Sequence, residues 1–290
     1  MTATAARVVA ESAGVTRRFG TFTAVSDVSM RVAEGEIVGL IGANGAGKTT
    51  LIRILLGLLA PTAGSVSLFE QIPSRNTRQR LGYVPQSLGL YTDLTVTENL
   101  RFTARAFGSS VPAALSDELS AVKDRLVGEI GLGLQRQLAF VAALAHSPEL
   151  LVLDEPTSGV DPLARSRLWD TIHEQADRGV GVLVTTHYMQ EADQCDRLVI
   201  MVAGRVAAAG TVSEIIGGRT AVQVDTEAWD EAFHALTEAQ LPVLLAGRCV
   251  RVPDASVDDV ERALARAGVS AHVTAVPSTL EETLITLGRA

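Results

Sequence analysis

Two cysteines in 290 residues, Cys195 and Cys249, are too few for a disulfide framework, and neither has a second Cys or a His at metal-ligand spacing. Both read as reduced, structural thiols. Aromatic residues make up only 4%, so the core has to be built from aliphatic side chains, and a 47% hydrophobic content is enough for one large domain and one small one. Positive charge is also short. With 25 Lys and Arg against 33 Asp and Glu the formal charge is −8, and no basic cluster marks a nucleic-acid surface. Any anion must therefore be held locally. Long apolar runs are missing as well: LIRILLGLLA is broken by Arg53, and MTATAARVVAES lacks a basic start followed by a long apolar block. Neither a membrane span nor a secretory leader is expected.

What is present alternates in type. Residues 7 to 41 read as short strands (RVVAESAG, SDVSMRV, GEIVGLI) joined by polar turns, and a helix follows from Lys48. The runs LLVLD and GVLVTT read as buried strands, each followed by a helical pattern, which predicts an α/β fold with a mainly parallel sheet covered on both faces. From Gly217 the texture changes to TAVQV, WDEAFHALTEA, PVLLAG, CVRVP, VDDVERALARAG, AHVTAV and LEETLITLG. These segments predict a small α+β domain over 217–290, beside a large domain over 1–216.

The stretch Gly42, Ala43, Asn44, Gly45, Ala46, Gly47, Lys48, Thr49, Thr50 fits G-x-x-x-x-G-K-[ST], directly after a strand and directly before a helix. Glycines let the backbone curl so that successive N–H groups point at phosphate oxygens; Lys48 adds a point charge and Thr49 offers a hydroxyl to magnesium. In LLVLDEPTSGVDP, four apolar residues bury the strand and bring Asp154 out at its C-terminal end, where ligands of open α/β sheets bind. There it can hold magnesium. Glu155 follows at the exposed tip, placed to take a proton from an attacking water. An acidic pair alone is as well explained as a solvated strand end; beside a phosphate loop it points to nucleotide hydrolysis.

Taken together, these motifs make residues 7 to 216 resemble the nucleotide-binding subunit of an ATP-binding cassette (ABC) transporter. GYVPQ then supplies Gln86 at the family's glutamine loop, SGVD supplies Asp161 at its D-loop, TTHYMQEADQCDR supplies His187 at its switch histidine, and Phe19 in TRRFG falls where the family stacks a ring on adenine. The resemblance implies a P-loop ATPase core with an antiparallel β subdomain and a helical subdomain at about 87–146, and ATP and Mg2+ as ligands. It further implies that Glu155 orients or deprotonates water, His187 contacts the γ-phosphate, Lys48 and magnesium offset phosphate charge, and Gln86 serves both the metal and coupling to a membrane subunit. Two cassettes are expected to close over two ATP molecules, and the complex to sit peripherally on the cytoplasmic face of the membrane. SLGLYTDLTVTENLRF, VTTHYMQEADQCDRL and PSTLEETLITL resemble drug and antibiotic exporters most. Alternatives are a soluble ABC-type ATPase and a subunit that holds ATP without hydrolysing it.

One family motif is damaged. Counting back from Asp154 puts the signature Leu-Ser-Gly-Gly-Gln on Ile130, Gly131, Leu132, Gly133 and Leu134, so the serine hydroxyl is lost and a leucine stands in place of a glycine. Gly131, Leu132, Gly133 and Asp161 are the residues the resemblance turns toward a partner's nucleotide. The segment from Ser109 to Ile130 is short for the family, as if one helix were missing. Intact Lys48, Asp154, Glu155 and His187 beside a degenerate signature imply an asymmetric pair with a different cassette, a symmetric homodimer being the alternative.

Overall fold

The computed structural model describes residues 6–111 and 115–289, and the chain divides into two compact units, Met1–Val206 and Ala207–Ala290. The first unit begins with β1 (Val8–Phe19) and β2 (Phe22–Ala33), which with β4 (Ala63–Leu68) form a three-stranded sheet in the order β2-β1-β4, β1 running antiparallel to both neighbours. Sequence reading divides this region into shorter strands. Register shifts around Ser12, Val15 and Arg17 break the alternation that would have revealed the full twelve-residue length of each.

β3 (Ile37–Ile41) enters a different, six-stranded sheet with β5 (Leu81–Val84), β6 (Leu150–Asp154), β7 (Gly181–Thr186), β8 (Arg197–Val202) and β9 (Arg205–Gly210). Its order is β5-β6-β7-β3-β8-β9, and the pairs from β5 to β8 are parallel. Every residue of β3, β6 and β7 is buried. Their unbroken apolar runs follow from that: strands covered on both faces have no solvent side to mark.

One face is covered by α1 (Lys48–Leu55), whose Leu51, Ile52, Ile54 and Leu55 pack with Val38, Leu40, Leu150 and Val152. The opposite face is covered by α5 (Leu132–Leu144) and α6 (Pro162–Asp177), through Ala139, Phe140, Leu168, Trp169 and Ile172. Asp161 caps α6, its carboxylate accepting the Leu163 and Ala164 N–H groups at 3.0 Å each, with Pro162 at the first helical position.

α2 (Arg75–Arg78) is a single turn ahead of β5. The helical subdomain consists of α3 (Val96–Phe107), the short α4 (Asp117–Ala121) and α5, gathered on Leu100, Leu119, Val127 and Leu138. A capping box at Thr95 and Glu98 starts α3 and Gly108 ends it with a φ of 66°.

After the end of β9 the second unit runs through α7 (Val212–Ile216), β10 (Thr220–Asp225), α8 (Trp229–Glu238), β11 (Leu244–Ala246), β12 (Cys249–Pro253), α9 (Val257–Ala267), β13 (His272–Pro277) and α10 (Leu280–Arg289). The sheet is antiparallel, in the order β11-β12-β10-β13. Val222, Val224, Val250 and Val252 meet Ala232, Leu236, Val260 and Leu264 in its core. The units part between Val206 and Ala207, inside β9, whereas composition shifts only at Gly217.

Candidate functional site

The loop between β3 and α1 is shaped by its glycines. A Cβ on Gly42 would lie 2.4 Å from the Met201 carbonyl, and one on Gly47, where φ is 100°, 2.5 Å from the Ala24 carbonyl. Gly45, at φ 84°, faces open space. Gly47 precedes α1 with no side-chain cap, so the first N–H groups of the helix point into the loop with its positive end. The Lys48 ammonium donates to the carbonyls of Gly42 at 2.6 Å and Ala43 at 3.2 Å. Burial lowers its pKa, against the opposing pull of Glu155 and Asp154.

The end of β6 lies across from this loop. Thr49 Oγ1 donates to Asp154 Oδ2 at 3.1 Å, and Thr185 Oγ1, from β7, donates to Asp154 Oδ1 at 2.7 Å while accepting the Glu155 N–H at 2.9 Å. Both acids are largely buried, at 2% and 9% exposure. Glu155 has a φ of 52°, a left-handed conformation unfavourable for a side chain. Its Oε2 lies 3.3 Å from Gln86 Nε2 and 3.5 Å from His187 Nδ1. The His187 ring packs on Tyr188 with centroids 4.1 Å apart.

A cavity of about 380 Å³ opens over these groups, walled by Asn44 to Thr50, Gln86 and Glu155. Loop glycines, a helix N-terminus and a lysine form an anion cradle. The hydroxyl of Thr49 and the carboxylate of Asp154 present two hard oxygens at its edge, and magnesium takes such ligands alongside phosphate oxygens. Among the described residues, no three His, Cys, Asp or Glu side chains cluster to hold a metal without such help.

The aromatic residue on this cavity is Phe22, 64% exposed, rather than Phe19. Phe19 is its cross-strand neighbour, with the Arg17 guanidinium 4.6 Å over its ring. The two rings flank one turn, and both stay candidates to meet a base. Sequence reading gives no place to Thr185 and Arg136. Thr185 is one of two buried threonines that end an otherwise apolar strand, and that pair is the available signal. Arg136 carried none, because an arginine on a helix reads as surface.

The residues expected to face a partner sit elsewhere. Gly131 caps α5 in an extended conformation without a side-chain hydrogen bond, and Leu132, the first helical residue, is 43% exposed. A Cβ on Gly159 would meet Leu132 Cδ2 at 3.2 Å, so the leucine leans on the loop between β6 and α6. Gly133 and Asp161 share a second cavity of about 410 Å³, bridged at its rim by the Arg167–Glu118 ion pair. None of Gly131, Leu132, Gly133 and Asp161 lines the cavity over Lys48.

Residues 25–158 match the protein family described as "ABC transporter". The Nod factor export ATP-binding protein I of Burkholderia lata is 44% identical over 214 residues, which is 70% of this chain and 70% of that protein. The probable multidrug ABC transporter ATP-binding protein YbhF of Escherichia coli is 39% identical over 223 residues, 73% of this chain but 39% of that relative, so the match spans about two fifths of its length. A solved ATP-binding subunit of an ABC transporter superposes with a TM-score of 0.67 at 32% identity, covering 71% of this chain and 91% of the other.

Proposed function

Because the chain belongs to the ABC transporter family, we infer that it binds ATP and hydrolyses it to power export through a separate membrane-spanning subunit. One observation carries the reading: Lys48, Thr49 and Glu155, drawn from two distant motifs, line a single cavity of about 380 Å³, and Asp154 is hydrogen-bonded to Thr49 beside it. Residues 1–216 form the catalytic domain in this proposal, and 217–290 an accessory one.

The roles follow from position. Loop N–H groups from Gly42 to Lys48 hold the phosphates, and the Lys48 ammonium, bonded here to its own loop carbonyls, turns to the β- and γ-phosphates. Thr49 and Asp154 hold magnesium, which supplies neutralisation of phosphate charge. Glu155 orients the attacking water and accepts its proton; Gln86 and His187, both next to its Oε2, set its orientation and reach the γ-phosphate. Phe22 or Phe19 stacks on the base.

Export rests on the names of the relatives and on one surface. A cleft of about 360 Å³ runs beside α3, with Tyr91 and Phe102 edge to face at 4.9 Å and about half exposed. Pro85, next to Gln86, lines it too. A membrane subunit docked there would sense the nucleotide through Gln86, at the cytoplasmic face. No helix among the described residues is long and apolar enough to cross a membrane.

The turn at Gly131 supports an asymmetric pair. It offers a backbone N–H and no hydroxyl, and Leu132 crowds the approach. A partner cassette with a complete signature would let the site on this chain turn over while the opposite site holds ATP.

Phosphate release by the complex, measured with Lys48→Ala and Glu155→Gln, tests the reading. Lys48→Ala is expected to lose ATP affinity, and Glu155→Gln to keep it while turnover falls about 10²-fold or more. Unchanged turnover in Glu155→Gln would overturn the proposed chemistry.

A further inference from the structure

We propose that Arg136 is a positioning residue for hydrolysis: it holds the left-handed turn at Glu155 from below and thereby fixes where the Glu155 carboxylate stands. This rests on the reading of Glu155 given above.

Arg136 lies one turn into α5 and is 5% exposed. Its Nη1 donates to the Glu155 carbonyl at 3.1 Å and to the Pro156 carbonyl at 2.9 Å. Burial lowers the guanidinium pKa and the Glu155 charge pulls it back up. Burying a cation without an ion-pair partner is costly, and among the described residues the Nε has no hydrogen-bond partner. An arginine serving only to pack α5 would be replaced by an aliphatic residue at no such cost. What the charge does here is bind two carbonyls that a reversed turn points the same way.

That turn is where strain is stored. Glu155 is a non-glycine residue at φ 52°, and such a conformation persists only when its surroundings over-determine it. Thr185 Oγ1 fixes its N–H side, and Arg136 fixes its carbonyl side. The side chain is then delivered to Gln86 and His187. α5 grips the same loop a second time through Leu132, which rests against Gly159. The helix carrying the altered turn at Gly131 to Gly133 is thus mechanically tied to the carboxylate of its own chain.

The test is a double-mutant cycle on ATP turnover by the assembled complex, with Arg136→Ala, Arg136→Lys and Glu155→Gln. Arg136→Ala is expected to lower kcat about 30-fold, the loss of a charged pair of hydrogen bonds, with KM for ATP within about twofold of wild type. Arg136→Lys, which keeps one charged donor, should fall between. Added guanidinium should restore part of the Arg136→Ala rate. In the Glu155→Gln background, Arg136→Ala should cost nothing further, since its effect passes through the carboxylate.

Equal loss in both backgrounds, or a rise in KM with kcat preserved, would overturn the proposal in favour of a packing role. If Arg136→Ala does not fold, Arg136→Lys in the two Glu155 backgrounds decides it by the same comparison. A fully active Glu155→Gln would sink the reading of Glu155 itself, whereas an inactive Glu155→Gln with a fully active Arg136→Ala would sink only this proposal.

Discussion

Thr49 Oγ1 donates a hydrogen bond to Asp154 Oδ2 across 3.1 Å, joining the first turn of the helix after the phosphate loop to the end of a strand 105 residues later. A hydroxyl and a carboxylate at that distance can share one magnesium ion without either moving far. Thr49→Ala removes one of the two oxygens and leaves the loop backbone intact. We expect nucleotide binding in the absence of metal to be unchanged and the magnesium concentration for half-maximal turnover to rise about tenfold, the loss of one ligand's worth of about 1.4 kcal/mol. A magnesium titration of phosphate release reads it, and an unshifted midpoint would remove Thr49 from the metal site.

Thr185 does two jobs at once. It donates to Asp154 Oδ1 and accepts from the Glu155 N–H, and it is fully buried. Thr185→Val keeps the volume and leaves a buried N–H and a buried carboxylate oxygen each short of a partner, a loss of about 1–3 kcal/mol. The melting temperature should fall by about 2–6 °C and turnover should drop with it. Thr185→Ser, retaining the hydroxyl, should recover turnover more fully than stability.

Most of this site was legible because phosphate chemistry demands residues in fixed local order. Gly42 to Thr50 and Leu150 to Glu155 each carry their meaning within a single strand and the turn after it, so no tertiary knowledge was needed. Arg136 and Thr185 act only through the fold: one is a helix arginine and the other a strand threonine until β6 is placed between them. Phe22 and Phe19 show the same limit, since they are register partners on one hairpin and only the course of that hairpin decides which of them lines the cavity. In the fold, the runs in β6 and β7 marked a covered parallel sheet, while the irregular pairing of β1 with β2 hid the length of both strands.

Glu149 gives the fold an acid-sensitive contact away from the site. Arg80 binds it with two nitrogens at 2.5 and 2.7 Å, Arg7 adds a third contact at 2.5 Å, and its pKa is lowered to about 2, chiefly by the Arg80 hydrogen bond. A carboxyl depressed on folding contributes stability that is fully present above its unfolded pKa and is lost as pH falls toward the folded value. The window therefore runs from about pH 4.5 down to about 2. Because Glu149 is 41% exposed, solvent screening holds its worth to about 1 kcal/mol or less. Glu149→Gln should melt lower than wild type at pH 7, and the gap should close as pH approaches 2. Thermal melts of both proteins across that range check the sign, and a gap that widens in acid would contradict it.

The altered turn before α5 offers the sharpest functional contrast. Gly131→Ser restores a hydroxyl at the cap of α5, and serine is a better N-cap than glycine by a few tenths of a kcal/mol, so it should stabilise the helix slightly even before any nucleotide is considered. Leu132→Gly removes a side chain that is 43% exposed and that leans on Gly159, so it frees the tip while loosening the loop between β6 and α6. The two effects can be separated. If the turn serves a nucleotide held by a second copy of this chain, the double variant should raise turnover about tenfold or more in the isolated protein, the worth of one hydrogen bond to a charged group. If a different cassette supplies the signature for this chain's own site, the restored turn should instead switch on the opposite site, visible as a second hydrolysing nucleotide per complex with the first site's rate unchanged. Single-turnover counting of nucleotides hydrolysed per complex distinguishes these outcomes, and no gain in either measurement would mean that the turn at Gly131 does not limit the reaction.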